Sequence, residues 1–140
     1  TGCAQAAILL ETASRTDLFL YDLKHMDPEK HKTYTGVDNT LILENLRKLT
    51  ESGAKVAIRI PLIPGINDDA ENIERTGSFV SGLKNIVSVH VLPYHAAARN
   101  KYAKWGKIYR LPDTLPPSAE EQQAAAESLK SFGLNVLIGG

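Results

Sequence analysis

Four side chains able to hold a polar ligand sit at comparable points along the sequence: Asp22 and Lys24, Arg59, and His95. Each lies toward or just past the end of an apolar, strand-like run. Aspartate suits ribose hydroxyls or an ammonium group, lysine and arginine suit a carboxylate, and histidine can hydrogen-bond an adenine edge or a ribose oxygen. Asp22 and Lys24 are two residues apart, so on an extended strand they project to one side, with Leu18 and Leu20 below them on that face. An acid and a base then cap an apolar interior. Taken singly, each group has a plainer role. The Asp22 and Lys24 pair can be a solvated rim, Arg59 a structural partner of Asp22, and His95 a loop histidine. Their recurrence at three strand ends favours a shared site.

Other chemistries find little support. The sequence holds no GxSxG, HExxH, P-loop or GxGxxG in the required context. Cys3 is the only cysteine, so it allows neither an intrachain disulfide nor a cysteine-based metal site, and with no placed base it reads as an ordinary residue. His25 and His31, six apart around Pro28, have poor metal-ligand spacing and are expected at the surface. No metal site is expected within the chain.

The elements that must carry these groups can be read in order. Residues 4–14 are good helix formers, and residues 18–24 form a buried strand. Asp27 and Pro28 open a short helix that Gly36 ends. Asp38 and Asn39 cap a helix in which Leu43, Leu46 and Leu49 recur at helical spacing and Gly53 supplies a left-handed end. A second strand covers residues 55–63, and a helix follows from Asn67, Asp68 and Asp69 to about Ser81. Residues 87–94 form the third strand. Residues 96–117 read as a long loop with Tyr102, Trp105 and Tyr109, and Ser118 with Glu121 makes a capping box before a last helix and a short strand at 136–138. Strands alternating with helices predict an α/β fold with a parallel sheet, whose active site lies at the carboxyl ends of the strands.

The 140 residues carry 16 basic and 16 acidic side chains and are 43% hydrophobic, the profile of one globular domain spanning 1–140. Balanced charge gives no general attraction to nucleic acid or anionic membrane. No run approaches the roughly 18 apolar residues of a membrane span, so a cytoplasmic protein is expected. A complete (β/α)8 barrel needs about 250 residues, so this length holds only part of one.

Three segments carry a family resemblance. They are Tyr21-Asp22-Leu23-Lys24-His25-Met26-Asp27 with His31 to Val37 and Asn39, Val56 to Asp68 with its Pro64-Gly65-Ile66-Asn67-Asp68 loop, and Leu92-Pro93-Tyr94-His95. Lys101-Tyr102, Trp105-Gly106 and Tyr109 follow, and Thr1-Gly2 fits the end of an upstream DT-G motif. In order and spacing these resemble the pyruvate formate-lyase-activating family of radical S-adenosylmethionine (SAM) enzymes.

The resemblance implies that the chain is the C-terminal portion of a partial (β/α)6, TIM-like barrel. It implies an enzyme that cleaves SAM reductively to a 5′-deoxyadenosyl radical and installs a glycyl radical on a partner such as pyruvate formate-lyase, drawing electrons from a flavodoxin or ferredoxin-type donor. Asp22, Leu23 and Lys24 would line the SAM site, His95 would contact the nucleoside end and Arg59 the methionine or sulfonium side. Asp22 could also help hold a monovalent cation. The family's [4Fe-4S] cluster is held by an upstream CxxxCxxC motif that these residues lack, so the chain alone is expected to bind SAM weakly or not at all. The aromatic loop is a candidate docking surface for the partner, the equal alternative being that its rings simply cover the end of the barrel. A radical SAM enzyme with another substrate and a non-catalytic βα scaffold are the competing readings.

Overall fold

Three side-chain caps set the starts of three of the helices. Asp27 accepts a hydrogen bond from the Lys30 amide, Asp69 from the Asn72 amide, and Ser118 from the Glu121 amide while Glu121 reaches back to the Ser118 amide. Each satisfies amides that the first helical turn leaves without partners. In the computed structural model, which describes residues 2–95 and 113–140, the elements run α1 (Ala6–Ala13), β1 (Phe19–Asp22), α2 (Pro28–Thr35), α3 (Thr40–Glu51), β2 (Val56–Leu62), α4 (Ala70–Ser81), β3 (Ile86–Pro93), α5 (Ala119–Lys130) and β4 (Val136–Ile138).

The strands form one parallel sheet in the order β1-β2-β3-β4. Because each strand is added on the same side of the last, right-handed crossovers carry the intervening helices to one face. That face holds the core. Phe19, Tyr21 and Leu23, then Val56, Ile58, Ile60 and Leu62, then Val89, Val91 and Val136 pack there with Leu46, Leu49, Ile73, Val80 and Leu129 from the helices. Fully burying each such side chain is worth about 1.5–3 kcal/mol. The other face carries Leu18, Leu20 and Leu137, which stay about half exposed. Leu18 and Leu20 do share a face with Asp22, as expected, but no described element covers that face into an interior.

Two local expectations change. His25 and His31, expected at the surface, are 6% and 4% exposed. Local hydrogen bonds explain why. The Asp27 amide donates to His25 Nδ1 at 3.0 Å, and His31 Nδ1 lies 2.7 Å from the Val37 carbonyl, so each ring closes its own loop. Asn39 precedes α3 but makes no side-chain cap; its amide group is buried against the carbonyls of His25 and Met26. Asp38 instead accepts from the Thr40 amide.

Candidate ligand-binding site at the strand ends

Parallel pairing brings residues far apart in sequence into single rows. Asp22 pairs with Arg59, Arg59 with His90, and His90 with Leu137, so one row crosses the whole sheet on its open face. Within it, Arg59 Nε and Nη2 both lie 2.7 Å from Oδ1 of Asp22. Asp22 Oδ2 and Arg59 Nη1 have no protein partner among the described residues. The pair is part-buried, with side chains 29% and 35% exposed, so it is screened less than a surface ion pair. It can offer an acceptor and a donor, side by side, to a ligand carrying both charges.

His90 is held from both sides. Its Nδ1 lies 3.0 Å from the Gly139 carbonyl, which can only accept, so Nδ1 carries a proton. In the neutral ring the Ser88 hydroxyl, 3.0 Å from Nε2, then donates. Sequence reasoning missed both residues. The available signal was alternation: Ser88, His90 and Leu92 share the strand face of Ala57, Arg59 and Pro61.

The remaining expected residues fall differently. Leu23 packs its side chain into the core and offers the site only its backbone, whose amide donates to the Arg59 carbonyl at 2.9 Å. Lys24 lies beyond the end of β1 with its side chain exposed and in no ion pair among the described residues. His95 follows β3, exposed and without a hydrogen bond or ion pair among the described residues. The structure thus joins Asp22 to Arg59 and adds His90, while Lys24 and His95 stand apart from that pair. The proposed docking residues Tyr102, Trp105 and Tyr109 lie outside the described residues, as do Lys101 and Gly106.

Buried asparagines position the loop after β1. Asn67 donates to the Lys24 and Pro61 carbonyls at 2.8 and 2.6 Å, and its Oδ1 accepts from the Ile63 amide. Asn72 accepts from the Met26 amide and donates to the Asn67 carbonyl. These contacts also escaped sequence reasoning, which treated Asn67 as part of a helix cap.

The site's chemistry divides between two groups. The carboxylate oxygen and guanidinium nitrogen without partners among the described residues, with Lys24 beyond the end of β1, suit the ammonium, carboxylate and hydroxyls of SAM. A [4Fe-4S] cluster does not fit these residues: it needs cysteine thiolates, Cys3 is the only cysteine, and no three potential ligands cluster among the described residues.

The fold matches solved structures. A domain of pyruvate-formate lyase-activating enzyme from Bacteroides vulgatus superposes with a TM-score of 0.82 at 34% identity, covering 98% of this chain and 76% of that one. The chain belongs to the pyruvate formate-lyase-activating enzyme family. Members similar to it include the trans-4-hydroxy-L-proline dehydratase activating enzyme of Clostridioides difficile, 40% identical over 99% of this chain. The pyruvate formate-lyase-activating enzyme of Staphylococcus epidermidis is 40% identical over 82% of this chain. The chain spans 46% of the length of each of these two relatives. A radical SAM methyltransferase from Sphaerobacter thermophilus shares the fold alone, with a TM-score of 0.70 at 16% identity. No family model matches the chain. Among the described residues, no helix is long and apolar enough to cross a membrane.

Proposed function

We propose that this chain is the C-terminal portion of a radical SAM barrel in an enzyme that installs a glycyl radical on a partner protein. The partner would be pyruvate formate-lyase or a related glycyl-radical enzyme, in the cytoplasm, with a flavodoxin or ferredoxin-type donor supplying the electron. The observation that carries the reading is the Asp22–Arg59 pair on the open sheet face of a member of this family.

In this reading the chain binds and orients SAM. Asp22 Oδ2 accepts from the ammonium group or a ribose hydroxyl, and a nearby carboxylate also favours a sulfonium or a monovalent cation. Arg59 and Lys24 hold the carboxylate, and His95 contacts the nucleoside. Leu18, Leu20 and Leu92 line the same face and limit water around the ligand. When bound beside a reduced cluster held outside this chain, SAM supplies a 5′-deoxyadenosyl radical. The protein's own part is position and electrostatics.

The test uses the full-length protein containing these residues, reconstituted anaerobically with iron and sulfide and reduced. We expect a [4Fe-4S]+ electron paramagnetic resonance signal that changes on SAM addition, with 5′-deoxyadenosine formed. A folded protein with no cluster signal and no SAM cleavage would instead support the scaffold reading, in which Asp22 and Arg59 only join two strands.

A further inference from the structure

Resting on the SAM-site reading, we infer that Asn67 is a positioning residue: its side chain extends the β1–β2 pairing past the strand end and so fixes where Lys24 meets a ligand. Backbone pairing between the two strands stops when the Leu23 amide donates to the Arg59 carbonyl at 2.9 Å. One residue on, the Lys24 carbonyl accepts from Asn67 Nδ2 at 2.8 Å. The same nitrogen donates to the Pro61 carbonyl of β2 at 2.6 Å, while Oδ1 accepts from the Ile63 amide at 2.8 Å. One amide therefore substitutes for a missing strand residue, and at 1% exposure no water replaces it at low cost.

A second asparagine continues the link. The Asn67 carbonyl accepts from Asn72 Nδ2 at 2.8 Å, and Asn72 Oδ1 accepts from the Met26 amide at 2.8 Å. Residues 24 and 26 are thus held at alternate backbone groups, the first by Asn67 of the β2–α4 loop and the second by Asn72 of α4. Lys24 has an exposed side chain and no ion pair among the described residues, so only its backbone anchor limits where its ammonium group goes. Loosening Asn67 leaves the Asp22–Arg59 ion pair in place but frees the root of Lys24.

The experiment compares wild type, Asn67→Ala, Asn67→Ser and Leu129→Ala in the full-length protein. Leu129, on α5, is fully buried in the core and serves as a destabilised control away from the loop. Two readouts are taken: amide hydrogen exchange at residues 23–27 without ligand, and SAM affinity by titration. Exchange should quicken about tenfold or more in Asn67→Ala, which loses three side-chain hydrogen bonds, and SAM Kd should rise about tenfold. Asn67→Ser, which keeps one short donor, should fall between, and it provides the reading if the alanine variant does not fold. Leu129→Ala should lose thermal stability without either local change.

Exchange at 23–27 no faster than in Leu129→Ala would overturn the clamp even if SAM binds. Faster exchange with unchanged SAM affinity would overturn its role in the site. Failure of the wild type to bind SAM would overturn the site reading and the affinity role together, and the exchange data would then judge the clamp alone.

Discussion

Arg59 grips a single oxygen of Asp22: Nε and Nη2 both sit 2.7 Å from Oδ1, which leaves Oδ2 without a protein partner among the described residues. The geometry commits one oxygen of the carboxylate to Arg59 and leaves the other for the ligand proposed above. Replacing Asp22 with Asn keeps an acceptor toward Arg59 but removes the charge. We expect Asp22→Asn to lower stability by about 1 kcal/mol or less, as for a partly exposed pair, in urea unfolding. The same change should weaken SAM binding by about tenfold or more, since a hydrogen bond to a charged group is worth about 1.5–3 kcal/mol. Unchanged affinity would assign the carboxylate to strand pairing alone.

His25 sets an acid limit. Burial, then the positive charge of Lys30, lowers its pKa below the ordinary value; Arg75 acts the same way, while Asp69 and Asp27 oppose. The ring accepts from the Asp27 amide through Nδ1, so protonation there would replace an acceptor with a donor facing a donor. A lowered folded pKa means that the unfolded chain takes the proton first. Stability is therefore intact above about pH 6.5 and falls as pH drops from there toward the folded pKa. Thermal unfolding between pH 7.5 and about 5.5 should show this loss, and His25→Gln should flatten it. A curve identical in wild type and variant would assign the acid response elsewhere.

Asp27 adds a second, lower step. The Lys30 amide holds its carboxyl below the ordinary value, so the stability it contributes is present above about pH 4 and lost as pH falls below that. Asp27→Asn retains a capping oxygen and should remove this step while changing stability little near neutrality, read from unfolding at pH 7 and about 3.

Gly2 and Gly36 both have positive φ, +85° and +88°, yet they should respond differently to alanine. A Cβ at Gly2 collides with the Tyr21 hydroxyl, whereas at Gly36 it meets nothing within 4 Å. Gly36→Ala should cost about 1–2 kcal/mol from the left-handed backbone alone. Gly2→Ala adds overpacking of about 1–3 kcal/mol, because the Tyr21 hydroxyl is tied to the Ile42 carbonyl at 2.7 Å and cannot swing away freely. Chemical denaturation of both variants checks the order. Equal costs would mean that Tyr21 yields without penalty.

By itself the sequence determined the elements and their order. Apolar runs such as residues 56–62, the Ser118 and Glu121 capping box, and Gly36 after α2 act over a few residues, so local chemistry specifies them. The motifs around Asp22, Arg59 and His95 were equally legible as a family resemblance. Tertiary structure decided which groups meet. Register placed Asp22 beside Arg59 and Arg59 beside His90, and no local pattern states the pairing partner of a strand. The hand of the crossovers sent Phe19 and Tyr21 under the helices and left Leu18 and Leu20 on the open side. Long-range contacts also buried Asn67 and Asn72, polar residues of a type mostly found exposed, because each satisfies backbone groups in the segments that follow β1 and β2.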